Sequence, residues 1–145
     1  MALEFVAGGI AFDDRGSVSF INDFNVSNYK RFYLVSNHKQ GFIRAWHGHK
    51  KEAKAVVLLQ GSALVCGVEI DNWESPSPDL EIHRHVLTAS KPGALIIPAG
   101  YANGFMNLTR DAILCFYSTS TVEESMNDDI RFDSRFWNPW NIEEK

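Results

Sequence analysis

Short apolar stretches, each closed by a turn within a few residues, constrain this chain more than any other feature. Runs rich in β-branched, aromatic and aliphatic side chains occur at 18–21, 31–36, 42–46, 55–59, 63–68, 82–87, 95–97 and 112–117. Between them Gly, Pro, Asn and Asp collect at 14–16, 37–41, 60–61, 75–79, 91–93 and 109–111, which reads as strands joined by turns. No long stretch with a helical period competes. Strands this short bury their apolar faces only by stacking, so the chain is expected to form an all-β sandwich or jelly roll. Its 145 residues suit one domain with a substantial core, and no internal repeat divides it. The longest loop, 72–79, is expected to project into solvent. The aromatic tail from Phe136 to Lys145 is expected to pack on the barrel or cover an opening.

Several function classes are excluded at this level. A net charge of −4 argues against nucleic acid as a partner. No run of about 18 apolar residues is present, so no membrane span is expected. The first residues carry acids and lack a basic segment, unlike a secretion signal. Cys66 and Cys115 both sit in apolar runs and read as reduced core thiols. The expected compartment is the cytoplasm, and the Asn107-Leu-Thr109 sequon is expected to go unused.

Two spaced patterns carry chemistry. The first runs Gly41, five residues, His47, one residue, His49, four residues, Lys54, six residues, Gly61. The second places Gly93, Pro98, Gly100, Asn103 and Asn107 in order. On a strand, residues two apart face the same side, so His47 and His49 look together into whatever the barrel encloses. A His-x-His pair by itself is also compatible with two satisfied core or surface imidazoles.

In this register the chain resembles the cupins, whose motifs have the form G-x5-H-x-H-x(3,4)-E-x6-G and G-x5-P-x-G-x2-H-x3-N. The resemblance implies a single cupin jelly-roll β-barrel, a double-stranded β-helix, over residues 1–145. Lys54 stands at the glutamate position and Asn103 at the second motif's histidine, and the second motif's first gap is one residue short. A catalytic dication needs three or four imidazoles or carboxylates. Here the third ligand is an ammonium and the fourth a carboxamide, so neither a metal nor another cofactor is expected.

Within the cupins the chain resembles the sugar-nucleotide branch, which holds the dTDP-4-dehydrorhamnose 3,5-epimerases and the dTDP-4-keto-6-deoxyglucose 3,4-ketoisomerases. Asp13-Asp-Arg15-Gly16 is similar to the opening of both groups, and Ile97-Pro-Ala-Gly-Tyr-Ala-Asn-Gly-Phe105 to the epimerases' I-P-x-G-F-A-H-G-F. Lys30-Arg31-Phe-Tyr33 and Arg44-Ala-Trp-His47-Gly-His49-Lys-Lys51 are closer to the ketoisomerases' K-R-x-Y and R-G-F-H-A-H-K-K. The similarity extends to Ile130-Arg-Phe-Asp133. Both groups work without a metal. The epimerases' paired tyrosine is missing from Tyr117-Ser-Thr-Ser-Thr-Val-Glu123, and their C-terminal extension, with an Asp supporting the histidine base, lies beyond where this chain stops. The resemblance therefore implies a metal-independent isomerase acting on a nucleotide-linked 4-keto-6-deoxyhexose, 3,4-ketoisomerase-like, in surface polysaccharide or deoxysugar biosynthesis. A 3- or 3,5-epimerase on the same substrates and a non-catalytic sugar-binding cupin are the rivals. A homodimer is expected, as is usual in this family.

Ketoisomerisation removes a proton beside a ketone, passes through an enediol and returns a proton to the neighbouring carbon. It needs a base neutral near pH 7, a second proton carrier and donors for the developing enolate. His47 and His49 are the expected carriers, in an order the sequence leaves open. Tyr33 is a candidate hydroxyl donor or a strand tyrosine with a wet tip. Lys54 either replaces the metal's charge or is a solvated strand lysine. Arg44 and Arg31 are implied by the resemblance to hold the diphosphate, although Arg44, an odd number of residues from His47, has the wrong strand parity to share its face. Asn103 joins the substrate-binding set, and Arg15 is a substrate contact, a structural arginine or part of a neighbouring site. Trp46, Trp73, Trp137 and Trp140 are expected in core and interface. His83 and His85 repeat the His-x-His pattern without its frame and are expected at solvent or a subunit contact, and His38 in an exposed turn.

Overall fold

The computed structural model describes residues 3–145. Twelve strands run in chain order among these residues: β1 Glu4–Ala7, β2 Gly9–Asp13, β3 Gly16–Phe20, β4 Arg31–Val35, β5 Ile43–Gly48, β6 Lys54–Gln60, β7 Ser62–Glu69, β8 His83–Thr88, β9 Gly93–Ile97, β10 Tyr101–Asn107, β11 Ile113–Ser118 and β12 Ile130–Arg131. A short helix, α1, spans Val122–Met126. Two five-stranded antiparallel sheets, ordered β1-β9-β6-β11-β4 and β12-β5-β10-β7-β8, face each other, while β2 and β3 form a separate hairpin. The expected jelly roll is present.

Alternation sorts the side chains into three layers. Between the sheets, Val56, Leu58, Val65, Leu95, Ile97, Phe105, Leu114 and Phe116 form the main core. On the outer face of the second sheet, Leu64, Cys66, Val68 and Met106 pack under Trp46, Trp137 and Trp140. The tail thus takes the first of its two expected roles: it packs on the barrel wall, and Trp46 Nε1 donates to the Trp137 carbonyl at 3.0 Å. Both cysteines are free and buried, and burial pushes the Cys66 thiol up to about 12. Asn107 is buried and accepts from Asn37 Nδ2, so the sequon is internal.

The structure departs from the expected elements where tertiary pairing overrides local composition. β10 contains two Asn and a Gly, poor strand formers, yet it lies between β5 and β7 with all seven residues buried. The 72–79 loop is not a free excursion. Trp73 lies over the Cβ-less face of Gly48 and stacks on Phe132, and Trp137 Nε1 donates to the Ser77 carbonyl at 3.0 Å. His83 and His85 are half-buried and pair with Gly67 and Val65, which places them on the inner face rather than in solvent. The glycines of the first motif have a backbone reason to be glycine: Gly41 and Gly61 hold φ of 78° and 70°. No helix among the described residues is long and apolar enough to cross a membrane.

Candidate active site

The inner faces of β4, β5, β6, β10 and β11 bring most of the expected residues to one end of the barrel. His47 on β5 is the cross-strand partner of Asn103 on β10, so the two share a face. Opposite them, Lys54 pairs with Ser118 and Ser118 with Arg31, which continues inward through Tyr33. A register shift between Asn103 and Phe105 changes the parity of β5. Ala45 and Trp46 both turn to the outer cluster, and Arg44, opposite the inward Phe105, returns to the histidines' face. The parity objection to Arg44 is therefore wrong, because strict alternation fails at a bulge. Arg44 Nε donates to Asn37 Oδ1 at 2.7 Å.

Lys54 is only 7% exposed, which removes the solvated-lysine alternative. Its ammonium lies 5.7 Å from the centre of the Tyr33 ring and 5.8 Å from that of Phe116, two rings that stack at 5.4 Å. The Arg31 guanidinium lies 4.9 Å from the centre of the Tyr33 ring, so Tyr33 is the aromatic floor for two cations. Their counter-charge is Glu52, which the motif spacing does not single out. Glu52 is 2% exposed; its Oε2 accepts from Ser118 Oγ at 2.7 Å and lies 3.9 Å from both Arg31 Nη2 and Lys54 Nζ. Its Oε1 is 3.6 Å from His49 Nδ1. The cupin carboxylate is thus displaced by two residues, and a signal was available: an acid two positions before Lys54, inside the motif.

The histidines differ in their surroundings. His49 is 4% exposed, its Nδ1 lies 2.6 Å from the main-chain oxygen of Asp128, and its Nε2 is buried without a hydrogen-bond partner. A carbonyl only accepts, so Nδ1 carries the proton and Nε2 presents a lone pair. His47 is half-buried and opposite Arg131 on β12, whose guanidinium is paired to Asp129 at 3.1 Å. Burial first, then Arg131 and Lys54, push His47 down to about 4, against a smaller upward pull from Asp129. Burial and then Lys54 also lower His49, opposed by Glu52. Both imidazoles are therefore neutral at pH 7 and able to accept a proton. The exposed Arg131 and Arg44 beside the half-exposed His47 mark the way in.

Arg15 is not brought to this pocket. It sits at the tip of the β2–β3 hairpin, fully exposed and paired with Asp13 in its own turn. Tyr117 points to the outer face and packs on Phe24, Tyr29 and Phe32. An apolar groove of about 330 Å³ on that outer face, lined by Phe20, Phe24, Val57 and Leu59, lacks the paired ionisable groups that the inner face holds.

The residues do not fit a divalent cation. The third cupin position holds an ammonium pinned between an aromatic floor and Glu52, and among the described residues no three His, Cys, Asp or Glu converge. Purified protein is expected to carry no stoichiometric zinc, nickel, iron or manganese. Elemental analysis finding about one such ion per chain, lost on His47→Ala, would contradict this.

A family model described as dTDP-4-dehydrorhamnose 3,5-epimerase matches residues 10–144. No curated protein sequence matches the chain. Among solved structures, dTDP-4-dehydrorhamnose 3,5-epimerase from Bacillus anthracis with TDP and PPi bound superposes with a TM-score of 0.77 at 18% identity, over 98% of this chain and 86% of that one. The sugar 3,4-ketoisomerase QdtA from Thermoanaerobacterium thermosaccharolyticum in complex with TDP gives 0.68 at 20% identity, over 92% and 90%. ChmJ, a 3′-monoepimerase from Streptomyces bikiniensis in complex with dTDP-quinovose, gives 0.66 at 23%, over 83% and 65%. At these identities the likeness is one of fold.

Proposed function

We propose that this chain, which belongs to the dTDP-4-dehydrorhamnose 3,5-epimerase family, is an isomerase that moves the keto group of a dTDP-linked 4-keto-6-deoxyhexose from C4 to C3. The observation that carries this reading is the pair of neutral inward histidines, one with its tautomer set, beside a buried ammonium. His49 acts as the base: its Nδ1–H is engaged, and Nε2, buried without a hydrogen-bond partner, takes the C3 proton of the seated sugar. Electron density then moves toward the C4 oxygen, where Lys54 and the Tyr33 hydroxyl stabilise the enolate. His47, nearer the opening, exchanges the oxygen proton, and return of a proton at C4 completes the isomerisation. Arg31 and Arg44 hold the diphosphate, with Asn103 against the sugar. No step calls for a metal or an organic cofactor.

The epimerase reading is favoured by the family model's own description. Against it, no tyrosine stands in the segment 118–123 where the epimerases' general acid is expected, and Tyr117 itself packs on the outer face. Incubation with dTDP-4-keto-6-deoxyglucose and identification of the product by NMR separates the readings. A 3-keto-6-deoxy product supports ketoisomerisation. A 4-keto product inverted at C3, or at both C3 and C5, assigns the epimerase, and unchanged sugar with the nucleotide bound assigns a binding module.

The chain acts as a homodimer in this account. The β2–β3 hairpin is exposed almost throughout and carries Phe12 and Val18, while Phe32, Leu34 and Leu59 leave the outer face of the first sheet apolar. A second copy covers both and gives Arg15 a neighbouring pocket to reach. A solution mass of 16.4 kDa, that of one chain, would contradict the dimer.

A further inference from the structure

Asp128 lies on the strap between α1 and β12, where no motif marks it, yet it receives four hydrogen bonds from consecutive residues of the β5–β6 connection. Its Oδ1 accepts from the Lys50 amide at 2.8 Å, and its Oδ2 from the Lys51 and Glu52 amides at 2.9 Å each. Its main-chain carbonyl accepts from His49 Nδ1 at 2.6 Å. Three successive N–H groups converging on one point form an anion nest, and here the chain supplies its own anion. Burial works against charge at Asp128, but the three amide donors outweigh it and hold the carboxyl below its ordinary value. The strap is itself fixed: Thr121 and Glu124 form a reciprocal cap on α1, Lys30 reaches Glu124 at 2.9 Å, and β12 pairs with β5.

We propose that Asp128 is the positioning residue of the pocket: its carboxylate clamps the segment carrying His49 and Glu52, and its carbonyl fixes the proton of His49 on Nδ1. It does not reach the reacting atoms; it acts through His49. Without the clamp, the ring loses the partner that chooses between its two tautomers, and the lone pair on Nε2 is no longer guaranteed. Only the kinetic consequence rests on the isomerase reading, since the tautomer is a property of the free protein.

The test uses the full chain labelled with ¹⁵N-histidine. In the wild type near neutral pH, His49 is expected as a neutral ring protonated at Nδ1 with Nε2 bare. Asp128→Asn keeps one acceptor oxygen but turns an NH₂ group toward backbone N–H donors. It is expected to mix or reverse the His49 tautomers and to lower kcat about tenfold to hundredfold, a part of the effect of losing a proton carrier, with KM nearly unchanged. Glu123→Gln, a change of charge at an exposed position of the same helix that leaves the cap and the nest untouched, should leave both spectrum and kcat as they were. An Nε2-protonated His49 in the wild type overturns the proposal, even if Asp128→Asn fails to fold. So does a folded Asp128→Asn protein with the wild-type tautomer. If the wild type shows no isomerase activity but the tautomer responds to Asp128→Asn, the positioning stands and the proposed reaction falls.

Discussion

His49→Asn is expected to lower turnover by about 10²–10⁴, the usual cost of a lost proton carrier, while leaving nucleotide affinity nearly intact. Asparagine keeps much of the size and a hydrogen-bonding end but cannot cycle a proton. His47→Asn should behave similarly, with the smaller loss if exchange with solvent can replace it. Arg44→Ala should do the reverse, weakening dTDP binding about tenfold or more by removing a charge-assisted contact, with kcat largely kept. The pH dependence has a definite sign. The imidazoles must be neutral to accept protons, and burial with Arg131 and Lys54 lowers His47 to about 4. The acid limb of kcat/KM should therefore lie well below the 6.5 of an unperturbed imidazole. Stability follows the same sign. The unfolded chain takes up the His47 proton first, so this contribution is full above about pH 6.5 and lost as pH falls from there through about 4. An acid limb at or above 6.5 would show that the histidines are not held in this environment.

The second large effect is on stability and centres on Glu52. Glu52→Leu leaves the Lys54 ammonium buried against two aromatic rings and the Ser118 hydroxyl with only the longer bond to the Ser120 carbonyl, 3.3 Å. Removing one partner of a buried pair costs about 3–5 kcal/mol. The lower end is expected here, because Arg31 is 24% exposed and also donates to the Ser120 carbonyl. Lys54→Met in the Glu52→Leu background should recover a substantial share, since replacing both charges by apolar groups is far less costly than stranding one. Denaturant unfolding of the two single variants and the double variant measures this directly. A loss under about 1 kcal/mol for Glu52→Leu would mean that Glu52 is not the counter-ion of the pocket.

How much of this was legible in the sequence depended on whether the signal was local. His47 and His49 share a face by strand parity alone, and Gly41 and Gly61 are glycines because the turns flanking β5 and β6 demand positive φ. Turn chemistry likewise separated most of the strands. β10 has no local signal, because its Asn and Gly residues oppose a strand and are overruled only by ladders on both sides. Strand parity alone puts Arg44 on the wrong face, because one register shift, invisible in the spacing, inverts the alternation. Glu52 was hidden in plain view: the motif directs attention to position 54, and the carboxylate arrives from 52. Asp128 had no local signal at all, since its role exists only where the strap meets the segment 49–52, more than seventy residues earlier in the chain. The spacing of the two motifs and the ammonium at position 54 are readable in the sequence. The ion cluster of Arg31, Glu52 and Lys54 beside the two imidazoles requires the fold.

On the proposed function, this pocket transfers protons at carbon with His49 as the base. The most direct measurement is hydrogen exchange: wild type and His49→Asn are each incubated with dTDP-4-keto-6-deoxyglucose in deuterated water, and the sugar carbons are read by NMR. The account predicts deuterium at C3 of recovered substrate and C4 of product with the wild type, and almost none with His49→Asn at equal nucleotide occupancy. Wild-type protein that binds the nucleotide sugar yet places no deuterium on any carbon would contradict it.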